Sequence, residues 1–435
     1  DKPSFSSPAT AAVDGKITFN GTGSQVIVKS DGIGVAVRQE TSSQAETEGR
    51  GIELTAGSMN ITTTRATALY VSGGSATFNS GTSVTIDSTI DGFCTVPVTD
   101  ENGNAATGTM YHGVFVQGGS LDASGATLTV THKGTQNNTP AGTTFTAHQS
   151  FKMTSYAVYV DDAGAKDSVT ITSGKITNSV GGGIYVGGGT VTLGSTQQNF
   201  AHANLQIRTT GGKDDDVNEG DWSGWFGEKA GYAGNWPYRL SKSGGNAVDV
   251  DGGTLIVYGG VFTANQGNGI VTRGGTATIS NGYFYGNDVY RSYETQNKDE
   301  DEKEPVAGPG ASYAFKVYGG TATVNGGTFG QQVSEDGTPG SYSLGSGAFV
   351  MGTSSSEDDK GKATILGGTF QVAGQAGFSI YQYADVTFGK AGASNGGPTV
   401  AGDAAAVALE KEHSTATQVT IHSSTFTSGG LVGSG

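Results

Sequence analysis

The sequence predicts an all-β chain wound as a parallel β-helix, a solenoid of about twelve or more coils with long loop insertions. The first observation is compositional: of 435 residues, 74 are Gly and only 9 are Pro, and charged residues make up 14%. Collagen would need Gly at every third position and abundant Pro. A helical bundle would lose roughly 1 kcal/mol for each interior Gly relative to Ala. Many short strands joined by tight turns accommodate this composition. The second observation is a recurring phrase, an apolar-x-apolar triplet, often a Gly-Gly pair, a short alternating strand, then Gly-x-Phe. The third is the size of the unit, which holds about three short strands and therefore one coil.

The phrase is clearest in the second half. Val248-Asp249-Val250 is followed by Gly252-Gly253, Thr254-Leu255-Ile256-Val257 and Gly260-Val261-Phe262. Ile270-Val271-Thr272 leads to Gly274-Gly275 and Gly282-Tyr283-Phe284, and Phe315-Lys316-Val317 leads to Gly319-Gly320 and Gly327-Thr328-Phe329. Further copies close at Gly368-Thr369-Phe370 and Ser424-Thr425-Phe426. The first apolar residue of each triplet gives twelve register marks: Val35, Ile52, Leu69, Val114, Val158, Ile184, Val248, Ile270, Phe315, Phe349, Phe378 and Val407. Their spacing runs from 17 (Val35 to Ile52) to 64 (Ile184 to Val248), so a minimal unit of 17 to 22 residues carries insertions of unequal length. The long gaps after Leu69 and Val114 leave room for an additional coil, with Val84-Thr85-Ile86 and Leu128-Thr129-Val130 as its candidate rungs. Stacked at about 4.8 Å per coil, such a rod is on the order of 55 Å long.

Along the chain, 1–30, with Pro3 and Pro8, reads as an N-terminal cap or first coil. The β-helix covers 31–428, with insertions at about 90–110, 133–152, 197–245, 287–310 and 331–345. The Gly-rich stretch 429–435 reads as a tail, beyond which the natural polypeptide is expected to continue into a further stalk or an anchoring domain. The single cysteine, Cys94, excludes an internal disulfide and a cysteine-built metal site. Its neighbours Phe93, Val96 and Val98 mark it as a small buried hydrophobe. A net charge of −15 with scattered basic residues argues against a nucleic-acid partner. No apolar stretch approaches the roughly 18 residues of a membrane helix.

The coils resemble right-handed parallel β-helix proteins of the pectin-lyase-like type, and the coil from Thr321 to Phe329 is similar to those of bacterial surface adhesins and autotransporter passenger domains. The resemblance spans nearly the whole chain and is architectural. It implies right-handed winding, in keeping with the general rule for parallel crossovers. It also implies a secreted or cell-surface binding protein or, on the same scaffold, a polysaccharide lyase or glycoside hydrolase. One scaffold hosts all of these, so function has to come from a site.

If the triplet is the first strand of each coil, its middle residues form an outward ladder: Ala36, Glu53, Tyr70, Phe115, Tyr159, Tyr185, Asp249, Val271, Lys316, Val350, Ser379 and Ala408. Tyr70, Phe115, Tyr159 and Tyr185 make a run of aromatic rungs, either a stripe for the apolar faces of sugar rings or a ladder that stabilises the solenoid without a ligand. The longest insertion holds all three tryptophans, Trp222, Trp225 and Trp236, with Phe226, Tyr232 and Tyr238. It reads as a mini-core folded onto the helix wall, as a sugar- or protein-binding platform, or as both. The same insertion contains Asp214, Asp216 and Asn218, alternating oxygen ligands of the kind calcium takes. An EF-hand is excluded, because its glycine falls one place late and Trp225 stands where the bidentate Glu belongs. An acidic solvated turn or a looser structural calcium site remains.

For catalysis, Asp249 and Asp251 are the one candidate carboxylate pair, with Asp161 and Asp162 expected two rungs away. The six histidines show no metal-binding spacing, and no nucleophile elbow with partners is present. The variable coil spacing argues against a uniform ice-binding face. Together these features point to an extracellular adhesin or binding stalk that recognises a glycan or a host protein through its loop insertions and aromatic ladder. The alternative is a polysaccharide-degrading enzyme centred on Asp249.

Overall fold

The computed structural model describes residues 10–13, 15–38, 50–64, 67–91, 98–99, 105–106, 112–135, 156–161, 167–179, 181–209, 246–265, 267–287, 313–342, 347–373, 376–393, 396–409 and 416–428. Most of them lie in strands, and all but two short antiparallel pairs are joined in parallel. Sheet I, the first of three ladders, has twelve strands in chain order, from Thr10–Val13 and Val35–Arg38 through Tyr156–Val160, Gly182–Val186 and Val248–Val250 to Ala405–Leu409. Sheets II and III are built from the two strands that follow each of these. In the early coils they are one continuous strand, as in Gly51–Thr63, Ser120–Thr135 and Ser168–Asn178. Later they separate, as in Thr276–Ile279 and Tyr283–Asn287. Every ladder pairing joins a strand to its counterpart in the neighbouring coil, so the described residues form twelve three-stranded coils.

Alternation sets which side chains go inside. In Thr321–Val324, Ala322 and Val324 are fully buried while Thr321 and Thr323 point outward. Like stacks on like: Phe262, Phe284, Phe329 and Phe370 form a column with centroid separations of 4.9, 4.6 and 4.2 Å and nearly parallel rings. The Gly-Gly corners are stacked too. At Gly320, with φ +70°, a Cβ would stand 2.6 Å from the carbonyl oxygen of Gly274 one coil below, so the corner admits only glycine.

The register differs from the sequence reading at three points. Ile52 pairs with Ile17 and Ala76 and lies in sheet II, and Glu53 beside it pairs with Thr18 and Thr77. Second strands carry the same apolar-x-apolar pattern as first strands, so the triplet alone does not separate the two. The rung taken as Phe349 is Ala348, which pairs with Phe315 and Phe378. Phe349, not Val350, therefore points outward, between Lys316 and Ser379. The first rung is Thr10, which pairs with Val35. Val84-Thr85-Ile86 and Leu128-Thr129-Val130 are no extra coil; they are the sheet III strands of coils 3 and 4, paired with each other. Leu205–Thr209, inside the 197–245 segment, is the sheet III strand of coil 6. In 331–345, Gln331–Val333 and Pro339–Tyr342 form an antiparallel hairpin.

Candidate functional site on the outward face of sheet I

Register places Ala36, Tyr70, Phe115, Tyr159, Tyr185, Asp249, Val271 and Lys316 on successive outward rungs. The four aromatic rungs are therefore adjacent. Tyr70 and Phe115 are buried with Ile33 and Ala36, while Tyr159 and Tyr185 are partly exposed. Ring faces are largely taken up within the column. Tyr159 stacks on Tyr185 at 4.6 Å and on His112, from the preceding coil, at 4.3 Å. The column thus presents ring edges and phenol hydroxyls to its surroundings, which fits the stabilising-ladder reading of the sequence rather than the open ring faces of the sugar-stripe reading.

The next rung is polar. Asp249 is only 3% exposed. Its Oδ2 accepts from the Tyr156 hydroxyl (3.0 Å), and its Oδ1 from Asn246 Nδ2 (2.7 Å) and Arg273 Nη2 (3.4 Å). The Asp249 carboxylate raises the pKa of Arg273. Burial, reinforced by Asp249, raises Tyr156 well above the ordinary tyrosine value. Tyr156 reaches across two coils because the residue paired with it in coil 6 is Gly182, where a Cβ would collide with the Tyr156 ring. The Tyr185 hydroxyl donates to Asp251 Oδ2 (2.8 Å), and burial raises its pKa. On the same side of the column, Gln117 Nε2 donates to Asp161 Oδ2 (2.6 Å) and Gln117 Oε1 accepts from the Tyr70 hydroxyl (3.3 Å).

Asp167 lies in the same corner of coil 5. It is 1% exposed. Burial pushes its pKa up to about 6, the Asp161 charge adds to this, and the backbone amides of Gly119 and Gly118 act against it.

A second feature was missed in the sequence although its signal is regular. The residue two places before each triplet sits at the corner between sheets III and I, and in several coils its side chain accepts the amide of its successor in the next coil. His112 N–H donates to Thr67 Oγ1 (3.2 Å) and Tyr156 N–H to His112 Nδ1 (2.9 Å). Asn268 N–H donates to Asn246 Oδ1 (2.9 Å) and Tyr313 N–H to Asn268 Oδ1 (2.8 Å). Because Nδ1 of His112 accepts, its proton sits on Nε2, and burial followed by the influence of His132 holds its pKa down to about 3.

Trp222, Trp225, Trp236, Tyr232, Asp214, Asp216, Asn218, Asp162 and Cys94 lie outside the described residues. Among the described residues no group of three or more His, Cys, Asp or Glu side chains could hold a metal ion, and no helix is long and apolar enough to cross a membrane. No family model matches the chain, and neither a curated protein nor a solved structure matches it.

Proposed function

We propose that the chain is a secreted or surface-exposed binding rod of the adhesin type, and that it recognises a glycan along the outward face of sheet I. The observation that carries this reading is the strip of partly exposed Tyr159 and Tyr185 on adjacent rungs, continued by Asp251 and the exposed Arg273. Phenol hydroxyls, a carboxylate and a guanidinium at rung spacing offer donors and acceptors to the hydroxyls of a linear polysaccharide, and a stacked column is too rigid to lose much entropy on binding. The hydrolytic alternative is less well supported. Three donors already occupy the Asp249 oxygens, which suits a group that ties coils together better than one that moves protons. The Trp222, Trp225 and Trp236 segment belongs to the same proposal as a second contact for a glycan or host protein.

The test is a polysaccharide adsorption panel with reducing-end release measured in parallel. Retention without release, weakened in Tyr159→Phe and Tyr185→Phe, supports the binding rod. Release that disappears in Asp249→Asn would establish the enzyme instead. Adsorption unchanged by both tyrosine variants removes sheet I from the proposal, and adsorption unchanged by Trp-to-Ala variants removes the Trp segment.

A further inference from the structure

Two walls rise from the outward face of sheet III. One is the hairpin Gln331–Val333 with Pro339–Tyr342, which leaves coil 9 yet is fastened to coil 6. The Arg208 guanidinium donates to the Val333 carbonyl through Nη1 and Nη2 (3.1 Å each) and to the Ser334 carbonyl (2.6 Å). Its Nε donates to Gln206 Oε1 (2.8 Å), whose Nε2 in turn donates to the Glu335 carbonyl (2.7 Å). The other wall is the turn around His202–Asn204, against which the hairpin tip packs so closely that a Cβ at Gly337 would stand 2.5 Å from that of Ala203.

Where these joined walls meet the sheet lies a groove of about 460 Å³ lined by Thr127, Thr129, Lys175, Asn204, Gln206 and Glu335. Its floor is set by ladder register, with Thr129 of coil 4 beside Lys175 of coil 5 and Lys175 beside Gln206 of coil 6. Lys175 Nζ stands 3.1 Å from Glu335 Oε1 at the mouth. An ammonium and a carboxylate in contact leave two ammonium donors beside several carboxylate acceptor sites. Two adjacent hydroxyls of one sugar ring complement that pair, since each can accept from the ammonium and donate to the carboxylate. A phosphate or sulfate would meet Glu335 and only one cation.

We propose that this groove is a second saccharide site, independent of sheet I, in which Lys175 and Glu335 grip a vicinal diol while Thr129 and Asn204 contact the remaining hydroxyls. The hairpin fastened by Arg208 is the positioning element that carries Glu335 to the site. The test is calorimetric titration of the chain with maltose, lactose and mannobiose, and separately with inorganic phosphate. At least one disaccharide is expected to bind, and Lys175→Met and Glu335→Gln are each expected to weaken it about tenfold or more, the loss of one charged hydrogen-bonding partner. Lys175 and Glu335 are 39% and 77% exposed, so neither change threatens the fold. Thr129→Val should weaken binding less, and Lys133→Met, which removes an exposed ion pair with Asp87 outside the groove, should leave it unchanged. Affinity unaffected by Lys175→Met and Glu335→Gln, a heat of binding for phosphate alone, or no uptake of any of the three sugars at millimolar concentration would overturn the proposal.

Discussion

Replacing Asp167 with Asn should make the protein more stable at neutral pH, by an amount that itself depends on pH. The carboxyl is buried, and desolvation pushes its pKa up to about 6 against an ordinary 3.8. A folded-state pKa raised above the unfolded value means that the native chain holds the proton more tightly. The benefit is complete below the unfolded pKa and is lost as pH rises through the folded one. At neutral pH the ionised carboxylate therefore carries a cost of about 2 to 3 kcal/mol, from a displacement of about two units at 1.36 kcal/mol each. Asn keeps the shape and removes the charge. Unfolding free energies of the two proteins from urea titrations should nearly coincide at about pH 4, diverge between about pH 4 and 6, and stay about 2 to 3 kcal/mol apart above about pH 7 in favour of Asp167→Asn. A gap that does not change with pH, or a less stable variant at neutral pH, would refute the reasoning.

Gly182→Ala should push the Tyr156 ring off its seat and strip Asp249 of one donor, at a cost of about 1 to 3 kcal/mol read from the thermal midpoint. Phe329→Ala opens the middle of the phenylalanine column and should cost about 3 to 5 kcal/mol by the same measurement, whereas Thr323→Ala on the outward face should lie within about 0.5 kcal/mol. Arg208→Met should lower amide exchange protection across 331–342 while leaving that of the phenylalanine column intact, because it cuts the hairpin's fastening to coil 6.

The phrase ending in Gly-x-Phe made the solenoid legible, because four successive coils turn at glycine and stack their phenylalanine on the one below. The outward ladder followed from alternation, and it placed Tyr70, Phe115, Tyr159, Tyr185 and Asp249 on consecutive rungs as the structure has them. Ile52 misled because an inward-facing second strand has the same period as a first strand. Phe349 misled because apolar residues fill Ala348, Phe349 and Val350 alike, so pattern alone does not say which face each takes. The partners of Asp249 were hidden for a different reason. Tyr156 is 93 residues away in sequence, and its reach depends on a missing side chain at Gly182. The corner column of Thr67, His112, Asn246 and Asn268 was readable in principle, since each stands two places before its triplet. The groove on sheet III was not, because it exists only once the hairpin of coil 9 has folded back over coil 6.

Ring resonances of selectively labelled tyrosines, followed while the protein is titrated with a polysaccharide fragment that it retains, test the binding strip most directly. Tyr159 and Tyr185 should shift and saturate together while buried Tyr70 stays still. Saturable binding that leaves both Tyr159 and Tyr185 unmoved would contradict the assignment of glycan recognition to the outward face of sheet I.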